Sequence, residues 1–89
     1  MGTVTRVRSL PFQAHGDFIA EWPVTGVNRG TSLAAVITEL DAAGQPFVGA
    51  ASMEVQNVAP RDNGEVHLLC HVEWPVDLSL RLDLLMYHD

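Results

Sequence analysis

Apolar and polar side chains alternate one by one along most of this chain, the pattern of strands with one face in a core and one in water. The alternation is cleanest toward the C-terminus. In Glu65–Trp74, the residues Val66, Leu68, Cys70, Val72 and Trp74 share one parity, and Glu65, His67, Leu69, His71 and Glu73 the other. In Leu78–Tyr87, Leu78, Leu80, Leu82, Leu84 and Met86 lie opposite Ser79, Arg81, Asp83, Leu85 and Tyr87. Pro75, Val76 and Asp77 stand between the two runs. Pro75 cannot continue a hydrogen-bond ladder, so the spacing predicts a β-hairpin turning there. That register sets His71 opposite Arg81 and Leu69 opposite Asp83, with Asp83 diagonal to both His67 and His71.

A second hairpin is predicted upstream, where Leu33–Leu40 and Phe47–Val58 flank Asp41-Ala42-Ala43-Gly44. Gly44 can take the positive φ such a turn wants. In the second strand Phe47, Ala51, Met53 and Val55 face one way, and Ser52, Glu54 and Gln56 the other. The first strand, through Ala34-Ala35-Val36-Ile37, is apolar on both faces, which predicts a central or covered strand. A helix competes there, but the run is short and β-branched. The breaker-rich loop Ala59–Gly64 separates the two hairpins. Thr3–Leu10 and Asp17–Trp22 read as further strands, linked by Pro11–Gly16 and followed by the loop Thr25–Gly30.

Short strands with turns at regular intervals predict one all-β domain over residues 1–89. The expected form is an antiparallel sandwich of six to seven strands, immunoglobulin-like, with a small closed β-barrel as the alternative. Glu21-Trp22-Pro23-Val24 recurs as Glu73-Trp74-Pro75-Val76. Two strands thus end on Glu-Trp and are stopped by Pro, an echo too short to establish duplicated halves.

The region Leu33–Val72 resembles bacterial immunoglobulin-like sandwich domains of the FxLYD type. The likeness lies in a strand followed by Asp41-Ala42-Ala43-Gly44-Gln45, then Ala50-Ala51-Ser52-Met53-Glu54-Val55, then Asn57-Val58-Ala59-Pro60 before another strand. Where that family carries its aromatic signature, this chain reads Thr38-Glu39-Leu40-Asp41. The resemblance covers under half of the chain and implies a binding or structural role.

Composition sharpens the functional expectation. Apolar residues make up 47% of the chain. That is more than so small a core can hide, so part of it is expected on a contact surface. The net charge is −6, from 11 acidic residues against 5 arginines, with no lysine. Without a basic run, nucleic acid and anionic membrane surfaces are not expected partners. No apolar run of signal-peptide length follows Arg6 and Arg8, so a cytoplasmic protein is expected. Cys70 is the only cysteine, which excludes an internal disulfide and a cysteine-based metal site.

The candidate chemistry is sparse. His67 and His71 share one face but stand four residues apart, about 13 Å along a strand. Two zinc ligands must each lie about 2.0–2.1 Å from the ion, so no metal or other cofactor is expected. Asp83 could orient either imidazole, yet no activated nucleophile accompanies it, and no catalytic residue is assigned. Cys70 has the apolar parity and reads as core. Glu21 and Glu73 read as solvated strand-end carboxylates.

Two surfaces remain. Leu69, Leu85 and Tyr87, with His67 and His71, form an amphipathic patch expected to mediate a homodimer, another homo-oligomer or a contact with a different protein. Trp22, Trp74 and Met53 could instead line an apolar pocket. That is the alternative expectation: a small-molecule binder or small enzyme. The favoured expectation is a non-enzymatic interaction domain.

Overall fold

A computed structural model describes residues 2–88. Seven strands form: β1 (Thr3–Arg8), β2 (Phe12–Ala14), β3 (Gly16–Pro23), β4 (Ser32–Glu39), β5 (Ser52–Pro60), β6 (Glu65–Glu73) and β7 (Leu78–His88). They build two antiparallel sheets packed as a sandwich, not a closed barrel. In sheet A, β7 is central, with β1 and β2 in line along one side and β4 along the other. In sheet B, β6 is central between β3 and β5.

The inward parities of β6 and β7 are as the alternation predicts. Val66, Leu68, Cys70 and Val72 face Leu80, Leu82, Leu84 and Met86 across the core, and all eight are buried. The predicted pairing of these strands is not formed. β6 and β7 lie in opposite sheets, so the segment around Pro75–Asp77 is a crossover and not a hairpin turn. The reason is packing. Each strand has a continuous apolar face, and stacking the two faces buries both, whereas side-by-side pairing would spread them over one sheet. The last two strands of the constant-type immunoglobulin order share a sheet; here they do not.

The second expected hairpin is also replaced by a crossover. β4 belongs to sheet A and β5 to sheet B, and the chain between them joins only through the bridge Leu40↔Pro46. Asp41 Oδ1 accepts hydrogen bonds from the amides of Ala43 and Gln45, and Gly44 takes a φ of 77°. That local turn leads into an irregular stretch, not a ladder. Phe47 and Val48 are consequently exposed, and β5 starts only at Ser52. The true hairpin is β5–β6. Gly64, at φ 82°, closes its turn, in which the Gly64 amide donates to the Arg61 carbonyl at 3.2 Å.

Two features join the sheets. At the start of β3, Gly16 adopts a φ of 66°, a conformation costly for any residue with a Cβ, and turns the chain from sheet A into sheet B. In the loop after β3, Val24 and Val27 tuck under the end of the core, and the Val24 amide donates to the Gly64 carbonyl at 2.8 Å.

Candidate functional site

Burial leaves the two outer sheet faces as the places where chemistry can be displayed. On sheet A the outward residues are Val4, Arg6 and Arg8 of β1, Arg81, Asp83, Leu85 and Tyr87 of β7, and Ala34, Val36 and Thr38 of β4. The register sets Val4 beside Tyr87, Ala34 beside Leu85, and Val36 beside Asp83. Val4 (61%), Val36 (48%), Leu85 (36%) and Tyr87 (52%) are exposed to water. Val4, Ala34, Leu85 and Tyr87 also line a shallow hollow of about 310 Å³. An apolar strip therefore crosses all three strands.

One end of this strip is ionic. Arg8 grips Asp83 with two hydrogen bonds, Nε to Oδ1 at 2.7 Å and Nη2 to Oδ2 at 3.3 Å. Arg81 Nε lies 3.8 Å from Asp83 Oδ2 and is buried without a hydrogen-bond partner. The Arg8 hydrogen bonds hold the Asp83 carboxyl below its ordinary value, with the charges of Arg8, Arg81 and Arg6 adding to the effect. The face as a whole carries three arginines against one aspartate.

Sheet B displays a different surface. Its register places Asp17 beside His71, Ile19 beside Leu69, and Glu21 beside His67. Glu54 flanks His71 from β5, and Glu65 and Glu73 complete the row on β6. His71 donates from Nδ1 to Asp17 at 2.5 Å and from Nε2 to Glu73 at 2.6 Å. Both ring nitrogens donate only in the imidazolium form. The bonds to Glu73 and Asp17 accordingly raise its pKa above the ordinary histidine value. Glu65 is pushed below the usual carboxylate range by Asn63 and then by His67. Five carboxylates stand on this face, with no arginine among its strand residues.

The sequence-predicted patch is thus divided between the two faces. Leu85 and Tyr87 belong to sheet A, while Leu69, His67 and His71 belong to sheet B on the opposite side of the molecule. His71 meets Asp17 and Glu54, not Arg81, and Asp83 meets Arg8 and Val36, not the histidines. Both corrections follow from the lost β6–β7 hairpin. The strip partners Val4, Val36 and Ala34 and the arginines beside them escaped the sequence reading. Val4, Arg6 and Arg8 share one parity, but parity alone cannot name the strand beside them.

The three residues expected to line one pocket are separated too. Trp22 lines an open groove of about 690 Å³ between β1–β2 and β3, together with Phe12, Phe18, Leu10 and Leu82. Phe12 and Phe18 meet edge to face there, with ring centroids 6.0 Å apart. Trp74 is 39% exposed, contrary to its inward parity, because the chain leaves the sheet at Pro75. Met53 lines a separate hollow beside Phe47 and Ile37. Cys70 is buried, and burial pushes its thiol upward, which suits a core residue.

Among the described residues one set of potential metal ligands converges. Glu21, Glu65 and His67 offer atoms within 4.8 Å of one another. The i, i+2 pair on β6 and the directly opposed Glu21 bring them together, which the His67–His71 spacing cannot do. Glu65 is already engaged by Asn63 at 2.8 Å and His67 at 3.4 Å. Among the described residues no helix is long and apolar enough to cross a membrane. No protein-family model, curated protein sequence or solved structure matches this chain.

Proposed function

We propose that this chain is a non-enzymatic interaction domain that self-associates through the outer face of sheet A. The observation that carries the reading is the apolar strip that runs from Val4 through Tyr87 and Leu85 to Ala34, with Val36 next along β4, open to water and bordered at Leu85 by Arg6. Exposed apolar strips bordered by polar and charged residues mark interaction sites. The reading includes a cytoplasmic location and protein partners only.

Sedimentation velocity tests it. The wild type should sediment above its 9.7 kDa monomer mass as concentration rises. Leu85→Glu should return it to monomer while leaving the far-UV circular dichroism unchanged. A wild type that stays monomeric, or a Leu85→Glu variant that associates as before, contradicts the reading.

A second reading has its own observation. The groove beside Trp22, about 690 Å³ and walled by Phe12, Phe18 and Leu10, offers an apolar lining to a small molecule. In a Trp74→Phe background, a shift of Trp22 emission on adding an apolar dye would support it, and Phe18→Ala should abolish that shift.

A further inference from the structure

We infer that the association is head-to-tail, the outer face of sheet A of one copy seating on the outer face of sheet B of the next. This inference rests on the reading of sheet A as a contact surface and specifies what covers it. The two faces match in kind and oppose in sign. Sheet A presents Arg6 and Arg8 at its surface, with Arg81 largely buried beside the single, buried Asp83. Sheet B presents Asp17, Glu21, Glu54, Glu65 and Glu73. Each has an apolar centre. On sheet B this is Ile19, 66% exposed, directly beside Leu69.

Charge decides among the possible pairings. Two copies joined through sheet A would bring arginines against arginines, and two joined through sheet B carboxylates against carboxylates. Only the mixed pairing sets Leu85 and Val36 against Ile19 and Leu69 with opposite charges around them, which steers encounter and rejects the like-charged arrangements. Because the two faces lie on opposite sides of one sandwich, each docked copy keeps one free face. The contact is heterologous and grows into a short stack instead of closing as a symmetric dimer. With sheets about 10 Å apart, the repeat is about 20 Å per copy.

The size of the faces sets the strength. Three strands about 4.8 Å apart and some eight residues long, at about 3.3 Å each, present a flat area of roughly 400 Å². A standard interface buries about 800 Å² per partner. The stack is therefore weak, reversible and sensitive to salt.

Two variants that each spoil one face provide the test. Leu85→Glu puts a carboxylate in the apolar centre of sheet A, and Ile19→Glu does the same on sheet B. Circular dichroism and thermal melts first establish that both are folded; Val4→Glu replaces Leu85→Glu if the latter is not. In sedimentation velocity each variant alone should run as a monomer. An equimolar mixture should form a 1:1 dimer through the two intact faces and grow no further. If Ile19→Glu alone associates like the wild type, sheet A pairs with itself: the head-to-tail inference falls while the interaction reading stands. If the wild type is monomeric, or Leu85→Glu associates as before, both fall.

Discussion

The outer faces of sheets A and B are made by the same device, yet they display opposite surfaces. Both consist of alternate residues on a central strand, β7 or β6, flanked by two edges. Sheet A shows an apolar strip with Arg8 and Arg81 at one end and Arg6 beside Leu85. Sheet B shows a ring of carboxylates and two histidines around Ile19 and Leu69. A net charge of −6 describes neither. The contrast shows that the distribution of charge over a fold, not its sum, decides what each surface can meet.

Both faces stand on one core, and the largest effect breaks them together. Leu84 is fully buried on β7 between Val7 and Ala35. Leu84→Ala should cost about 2–5 kcal/mol through lost contacts and a cavity. That is a large share of the roughly 5–15 kcal/mol a small domain has, and urea denaturation reads it directly. The neighbouring Leu85→Ala, on the outer face, should stay within about 0.5 kcal/mol.

The next test separates the faces by breaking only the ionic end of sheet A. Asp83→Asn removes the carboxylate that Arg8 holds and leaves the buried Arg81 Nε without its counter-charge. A loss of about 1.5–3 kcal/mol is expected, the range for hydrogen bonds to charged groups. The wild-type contribution should be present above the unfolded carboxyl pKa. It should be lost as pH falls through the lowered folded value, because the folded state holds the ionised form. A variant with unchanged stability near neutral pH and the wild-type acid limb would contradict the role given to this pair.

Sheet B should respond to pH in the opposite direction. His71 has a raised pKa in the folded state, owing to Glu73 and Asp17. Its contribution should be complete below the unfolded histidine pKa of about 6.5. It should disappear as pH rises through the higher folded value. Thermal melts of wild type and His71→Gln across that window should converge on the alkaline side and diverge on the acid side. Parallel curves at all pH values would remove the double ion pair from the account. The smallest effect is that of salt. Raising sodium chloride should weaken self-association several-fold while shifting the monomer melt little, since Arg6 and Arg8 on one face and Asp17, Glu21, Glu54 and Glu73 on the other are exposed. Association that strengthens with salt would mean the apolar strip acts without the surrounding charges.

Much of the fold was legible and most of the site was not, for one physical reason. Alternation fixes which side chains of a strand point inward, and it did so correctly for Val66 to Val72 and for Leu80 to Met86. It says nothing about the strand alongside. Pro75 marks an end equally well for a hairpin and for a crossover between sheets. Choosing the hairpin joined Leu69, His67 and His71 to Leu85 and Tyr87 in one patch, when the core divides them. The short β2 was hidden in Pro11–Gly16, where Phe12, Gln13 and Ala14 are too few to show a period. Asp17 and Arg8 became partners of His71 and Asp83 only through pairings between distant segments. The doubly bonded histidine and the bidentate arginine pair were therefore beyond any local reading.

Methyl NMR over a dilution series shows whether the sheet A strip is a docking surface. The account predicts concentration-dependent shifts for Val4, Val36 and Leu85, with Ile19 and Leu69 moving alongside them and the buried Leu68 and Leu80 unmoved. If the sheet A methyls hold still at every concentration, that face is not a contact surface and the account is wrong.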